Sequence, residues 1–224
     1  MAAFPLEHDI DYPESDGKPL GETPRHRQEI VDLLYVLEQR YRDTPDVCVE
    51  GNMFLYYERG NRGAVVCPDV FLVKGVARKL RDTFKVWEEG NRVPSLVIEV
   101  TSASTRDEDQ IEKKAKYVTL GVEEYFLFDP LGEYLSPPLR GFRLLGNRYR
   151  PIQPETDGSL RMMTTGLKIR REGQRARLID AVTEEPLRRM EEVTESERRK
   201  TAALRAAEEE IARLRRQLAE SQNR

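Results

Sequence analysis

Apolar side chains recur with helical spacing in two segments of the first 183 residues. Ile30, Leu33, Leu34 and Leu37 fall at i, i+3, i+4 and i+7, which predicts an amphipathic helix beginning near Pro24. Thr23 before that proline is a suitable N-cap. Residues 107–120 predict a second helix, which Gly121 ends.

Short apolar runs with β-type residues separate and follow these helices. They lie at residues 46–57, 64–67, 70–73, 95–100 and 125–128, and residues 141–182 alternate such runs with turns. An order of helix, strands, helix and strands predicts an α/β fold, with a mixed central sheet flanked by helices.

The last 41 residues differ from the rest of the chain. Of residues 184–224, ten are basic and ten acidic, and none is aromatic or glycine. This composition favours helix. A heptad spacing connects Leu204, Ala207, Ile211, Leu214 and Leu218. About two heptads fit a solvated helix, a short dimerising coiled coil or a helix docked on the domain. We therefore predict an irregular lead-in at 1–23, a domain at 24–183 and a charged helical tail at 184–224.

Composition and charge exclude several classes of protein. The chain has 224 residues and a formal net charge of −3, so bulk positive charge does not attract nucleic acid. The two histidines, His8 and His26, lie near the N-terminus, which argues against a His-based zinc site or a Ser-His-Asp triad. Two cysteines are too few for a zinc ribbon or a disulfide scaffold. Without a signal peptide or an apolar run of about 20 residues, we expect a soluble, cytoplasmic protein.

Two acidic residues stand in or beside short apolar strands. Glu99 lies inside the run SLVIEV, and Asp69 directly precedes VFLV. A buried carboxylate is costly unless it is paired or bound to a metal. Each residue alone also fits a simpler interpretation, with Glu99 on a solvent-facing strand surface and Asp69 at a strand start. If the two strands are neighbours, the carboxylates converge and suit Mg²⁺.

The predicted helix after Glu99 carries a third group. Asp109, Lys113 and Tyr117 are spaced i, i+4 and i+8, so they share one face. A lysine near a metal could stabilise negative charge on a phosphate. The simpler alternative is a surface ion pair between Asp109 and Lys113, worth at most about 0.5 kcal/mol.

These residues belong to a longer pattern. The strings PDVFLV, SLVIEVTSAST and DQIEKKAKYVTLGVEEYFLFDP resemble the bacterial restriction endonuclease family of Uma type, within the PD-(D/E)XK nuclease superfamily. The resemblance covers roughly residues 24–180 and is densest from Pro68 to Pro130. It implies a restriction-endonuclease-like core with the two acids on adjacent strands.

The resemblance also implies roles for individual residues. Asp69 matches the motif aspartate and Glu99 the second acid, and together they would bind Mg²⁺ or Mn²⁺. Thr101 stands where the superfamily has lysine, so the catalytic lysine would come from the following helix. Lys113 is the first candidate there, and Lys114 and Lys116 are alternatives. Glu29, on the first helix, is a further candidate acid.

The expected function is hydrolysis of DNA phosphodiester bonds by a Mg²⁺-dependent endonuclease. A local cluster of Arg78, Lys79, Arg81 and Lys85 could contact DNA phosphates, or be a solvated loop. The alternative is a catalytically inactive nuclease fold that acts as a binding or assembly module through its coiled-coil tail. A homodimer held by the C-terminal helix fits either function.

Overall fold

The computed structural model describes residues 10–15 and 23–222, with side chains described through residue 218. The predicted lead-in at 1–23 lies mostly outside these residues, and residues 10–15 form neither helix nor strand. The chain divides into two compact units, Met1–Leu187 and Arg188–Arg224.

The first unit is built on a six-stranded mixed sheet. In spatial order its strands are β1 (Val47–Glu50), β4 (Val70–Lys74), β6 (Leu96–Val100), β7 (Glu124–Phe128), β8 (Leu139–Leu145) and β9 (Arg148–Pro151). Only β6 and β7 pair in parallel, and the other neighbouring strands are antiparallel. The predicted α/β class and mixed central sheet are therefore confirmed.

Helix α1 (Pro24–Arg40) covers one face of this sheet. The Thr23 hydroxyl accepts a hydrogen bond from the backbone N–H of His26, so the predicted N-cap is present. The apolar side of α1, with Ile30, Leu33 and Leu37, packs into a core shared with β4, β6 and β7. A second sheet closes the same core and contains β10 (Leu160–Met162), β11 (Leu167–Glu172) and β12 (Arg175–Asp180).

The opposite face is covered by the connection between β6 and β7. This crossover contains a π-helical segment (Glu108–Lys113) followed by α2 (Lys114–Leu120), and Gly121 ends it in a left-handed conformation with φ of 82°. A small sheet lies on the same face and contains β2 (Leu55–Tyr56), β3 (Val65–Val66) and β5 (Phe84–Lys85). Both faces of the central sheet are therefore buried, which makes β6 apolar along its whole length apart from Glu99.

The second unit contains the helix α3 (Met190–Gln222), so the predicted C-terminal helix is present. Residues 184–187 instead continue the first unit, because the Leu187 N–H donates to the Leu178 carbonyl at 2.8 Å. Among the helices within 10–15 and 23–222, none combines the length and apolarity that crossing a bilayer requires.

Candidate active site

The pairing of β4 with β6 brings Asp69 and Glu99 together. Val70 pairs with Ile98, so Asp69 lies opposite Glu99 at the end of the strand pair. The Asp69 N–H donates to Glu99 Oε2 at 3.2 Å, and the Val100 N–H donates to Asp69 Oδ2 at 2.7 Å. The two acidic residues thus lie side by side at one strand end.

Glu99 is fully buried, with a relative exposure of 0%. Its side chain shares a face with Val97, as strand alternation requires, but this face lies under the β6–β7 crossover. The alternative that Glu99 points to solvent is therefore wrong. A solvent-facing strand surface would need an open sheet face, and this sheet has none in that region.

The crossover directs Asp109, Lys113 and Tyr117 inward at Glu99. Lys113 Nζ lies 3.0 Å from Glu99 Oε2 and 3.2 Å from Asp109 Oδ1, and the Tyr117 hydroxyl donates to Glu99 Oε1 at 2.6 Å. Asp109 and Lys113 are both buried, so the alternative of a surface ion pair is wrong. The apolar Ile111, by contrast, faces solvent.

Asp109 and Lys113 lie in the π-helical segment rather than in an ordinary α-helix. Such segments are short and occur frequently at functional sites. The Tyr125 hydroxyl supports the segment by donating to the Asp109 carbonyl at 2.7 Å. The sequence predicted the shared face correctly but not this helical geometry.

Three carboxyl groups, those of Asp69, Glu99 and Asp109, surround the single ammonium of Lys113. Burial raises the pKa of Glu99 well above its usual value, and Asp69 and Asp109 raise it further against the opposing effect of Lys113. Burial alone would lower the pKa of Lys113, but the carboxylates raise it above its usual value. Lys113 therefore remains an ammonium ion at neutral pH. Three carboxyl groups share this one positively charged partner.

His26 is the residue at this site that sequence reasoning missed. Its Nε2 lies 2.5 Å from the Val100 carbonyl oxygen and 3.6 Å from Asp69 Oδ2, and the side chain is buried. Its position near the N-terminus argued against a role, but α1 crosses the sheet beside β6. Its place in the first turn of α1, on the side that faces the sheet, was the available signal.

Other candidate residues lie elsewhere. On α1, Glu29 contacts β12 instead, where its carboxylate accepts from the Ala176 N–H at 2.9 Å and pairs with Arg175. Lys114 lies over the Phe142 ring, with Nζ 3.5 Å from the ring centroid, and Lys116 is half-buried.

The cluster at residues 78–85 is largely neutralised. Arg81 and Lys79 both pair with Glu89, at 2.9 and 2.8 Å, and the Arg81 side chain is buried. Lys85 pairs with Glu88 at 3.3 Å. Glu50, 3.6 Å from Arg81, is a third acidic partner, so three carboxylates oppose the three positive charges.

Asp69 and Glu99 are the residues that could hold a divalent cation. Mg²⁺ is usually held by one or two carboxylates, with waters and substrate phosphate completing its shell. Among the described residues, no group of three His, Cys, Asp or Glu side chains forms a ready-made metal cage. Asp69 and Glu99 lie opposite each other on paired strands, so their two carboxyl groups are the ones available to such an ion.

Comparisons with known proteins complete the description. The search of curated proteins found no match to this chain. A crystal structure of "a putative nuclease belonging to DUF820" from Anabaena variabilis aligns with 13% identity and a TM-score of 0.47, covering 66% of this chain and 76% of that one. The model of the Uma2 family, described as "Putative restriction endonuclease", matches residues 2–172, and the chain therefore belongs to this family.

Proposed function

We propose that the protein is a Mg²⁺-dependent endonuclease that hydrolyses DNA phosphodiester bonds, with Mn²⁺ as an alternative cation. The observation that carries the proposal is the buried cluster in which Lys113 Nζ lies 3.0 Å from Glu99 Oε2, beside Asp69. The chain belongs to a family that is described as restriction endonucleases, and this supports DNA as the substrate.

Asp69 and Glu99 would hold the cation. When bound, it would lower the pKa of a coordinated water and neutralise charge on the scissile phosphate. In the overall reaction, water adds to phosphorus and one P–O ester bond breaks, leaving a phosphomonoester and an alcohol.

Lys113 would act as a fixed positive charge. Because the surrounding carboxylates raise its pKa, it holds its proton and is unsuited to the role of general base. A preorganised ammonium stabilises the negative charge that develops on phosphate oxygens in the transition state. Tyr117 would keep the Glu99 carboxylate in place through its 2.6 Å hydrogen bond.

The test is nicking of supercoiled plasmid by wild type and by Asp69→Asn and Glu99→Gln, with Mg²⁺, with Mn²⁺ and in EDTA. Both substitutions keep side-chain size, and we expect each to slow cleavage by about a hundredfold or more. Glu112→Gln is the control, because Glu112 is exposed on the same helical segment. Cleavage by Glu99→Gln at the wild-type rate, or cleavage in EDTA, would refute the proposed site.

A catalytically inactive assembly module is the second candidate, and three observations favour it. Both Glu99 carboxylate oxygens already accept hydrogen bonds from the protein, and Thr101 stands at the usual lysine position. In α3, the heptad residues Leu204, Ile211, Leu214 and Leu218 are 49–61% exposed.

This second function predicts a tail-dependent oligomer without plasmid cleavage. Ile211→Glu places a charge on the heptad stripe, whereas Ala212→Glu places the same charge one position away from it. Sedimentation should then show a dimer for wild type and Ala212→Glu and a monomer for Ile211→Glu. A monomeric wild-type protein would exclude self-assembly through this stripe.

A further inference from the structure

A cavity of about 220 Å³ lies beside the acid cluster, which consists of Asp69, Glu99, Asp109 and Lys113. Residues 101–104, which follow β6, form one wall, and Pro130 and Leu131, which follow β7, form another. Arg25 and His26, in the first turn of α1, form the third wall. Because β6 and β7 are parallel, the cavity occupies the carboxyl ends of adjacent strands, where α/β sheets commonly bind ligands.

Two residues connect the cavity to the candidate active site. His26 lines the cavity and lies 3.6 Å from Asp69 Oδ2. Thr101 lines it too and directly follows Val100, whose N–H donates to Asp69 Oδ2. A larger cavity of about 610 Å³ lies along β8 and residues 151–158, and none of the acid-cluster residues is among the described residues that line it.

Thr101 lines this cavity, and the contacts among the described residues leave its hydroxyl unexplained. The residue is 2% exposed, and within the described part of the chain its buried Oγ1 has no hydrogen-bond partner. A buried hydroxyl without a partner costs free energy, so native proteins usually satisfy it. A ligand atom in the cavity would satisfy it here.

The other polar groups of the cavity suit an anion. Ser102 Oγ lies 3.1 Å from Ser104 Oγ, and both hydroxyls can donate. The Arg25 guanidinium donates to the side-chain amide of Gln174, a neutral partner that leaves its charge available. The N-terminus of α1 adds the positive end of a 17-residue helix dipole.

The loop wall of the cavity is held by one buried side chain. The Asp129 carboxylate accepts hydrogen bonds from four backbone N–H groups, at 2.6–3.0 Å. The donors are those of Leu131, Gly132, Tyr134 and Leu135. The loop after β7 is thereby preorganised, so ligand binding would not require it to become ordered.

We propose that this cavity binds a backbone phosphate of the DNA strand, next to the phosphate that is cleaved. The Thr101 hydroxyl donates to a non-bridging phosphate oxygen, and Arg25 supplies the opposite charge. The proposal rests on the proposed nuclease function for its ligand. In the nuclease superfamily a catalytic lysine usually occupies the position of Thr101. In this protein, Thr101 would contact the substrate instead of taking part in catalysis.

The first test compares Thr101→Val with Thr119→Val. The valine keeps the shape of threonine, and Thr119 is exposed on α2, where its hydroxyl donates to the Ala115 carbonyl. Binding of a fluorescein-labelled DNA duplex is measured by anisotropy in Ca²⁺, and a gel afterwards checks that the duplex is intact. We expect Thr101→Val to raise Kd about tenfold, with a melting temperature equal to or above wild type. Thr119→Val should bind like wild type.

The second variant, Arg25→Gln, tests the charge. Each phosphate neutralised by a cationic side chain contributes about 0.9 to the slope of log K against log salt. Arg25→Gln should therefore lower this slope by about one phosphate equivalent. Thr101→Val should leave the slope unchanged, because a hydroxyl carries no charge.

The outcomes separate this proposal from the proposed function. Plasmid cleavage by wild type with unchanged DNA affinity in Thr101→Val would overturn the phosphate site alone. Absent cleavage with weakened affinity in Thr101→Val would support the phosphate site and reject the nuclease. A wild-type protein that binds no DNA, or binds an RNA duplex only, would overturn the phosphate site as stated.

Discussion

The ammonium of Lys113 lies between two buried carboxyl groups, 3.0 Å from Glu99 Oε2 and 3.2 Å from Asp109 Oδ1. Such a pair offsets the cost of burying its charges only while both partners are present. The lysine is thus structural as well as a candidate for catalysis.

Replacing Lys113 by methionine should destabilise the metal-free protein strongly. The buried carboxyl groups would lose their counter-charge, a loss typically worth about 3–5 kcal/mol. Urea denaturation in EDTA gives the free energy of unfolding. Lys114→Met is the matched control, because Lys114 contacts the Phe142 ring from a half-buried position and its loss should cost about 1 kcal/mol. Equal losses in the two variants would contradict the charge balance described for Lys113.

Cys48 should be unreactive in the folded protein. Burial raises the pKa of its thiol to about 12, and the neighbouring Glu50 carboxylate adds to this effect. At about pH 8 only about one molecule in ten thousand would then carry the reactive thiolate. In the Cys67→Ser variant, where Cys48 is the remaining thiol, iodoacetamide should label the protein only after unfolding in guanidinium chloride. Rapid labelling under native conditions would contradict the burial of Cys48.

At the scale of elements, the loop between β1 and β2 fixes the position of Asp69. An added Cβ at Gly51 would lie 2.2 Å from the Asp69 carbonyl oxygen, and the Asn52 N–H donates to the Pro68 carbonyl at 3.0 Å. This close approach requires a residue without a side chain at Gly51. The start of β4 is therefore held by backbone contacts from a neighbouring turn.

Gly51→Ala should displace Asp69 and destabilise the protein. The opposing atom is a backbone oxygen that cannot move aside, and such overpacking typically costs about 1–3 kcal/mol. We also expect slower plasmid cleavage, because the displaced carboxylate no longer meets Glu99. Gly63→Ala is the control, since its nearest new contact is the flexible Asn61 side chain at 3.3 Å. Thermal denaturation of both variants measures the effect, and a Gly51→Ala protein as stable as Gly63→Ala would refute it.

The sequence was sufficient to predict most elements of the fold near the acids. Helical spacing predicted α1 with its Thr23 cap, and apolar runs predicted β4, β6 and β7. The shared face of Asp109, Lys113 and Tyr117 also followed from spacing, although spacing did not show that this face points inward. These features are local, so a periodic pattern of side chains records them.

The remaining features depend on contacts between distant segments. His26 meets Asp69 across 43 positions of sequence, because α1 packs beside β6. Glu29 lies on the same helix as His26 but faces β12, and no local pattern in the sequence indicates this partner. The burial of Glu99 depended on whether the crossover covers its side of the sheet, which alternation along β6 does not specify.

At the scale of the whole molecule, the two compact units differ in how they are stabilised. The first has two apolar cores, one on each face of the central sheet. The described side chains of α3 are mostly exposed and pair along the helix, as Arg213 and Glu210 do at 2.7 Å. Exposed pairs of this kind contribute little, about 0–1 kcal/mol each.

We propose that the domain boundary lies after Leu187, four residues beyond the boundary that composition suggests. Glu184 and Leu187 both contact the first unit, through the ion pair of Glu184 with Lys168 at 2.5 Å and the hydrogen bond from Leu187 to Leu178. The Lys168 side chain is buried, so the loss of Glu184 would remove one of its two described acidic partners, the other being Glu155.

A chain truncated after Leu187 should therefore melt at the same temperature as the full-length protein. Truncation after Thr183 should lower the melting temperature, because it removes the strand-like pairing with β12 and leaves buried Lys168 with less negative charge nearby. The lost backbone hydrogen bonds of residues 184–187 account for most of the expected decrease, because the Glu184 side chain is itself mostly exposed. Calorimetry of the two truncated chains distinguishes the boundaries. Equal melting temperatures for both would place the end of the domain at residue 183, and a large loss in the longer chain would mean that α3 itself stabilises the domain.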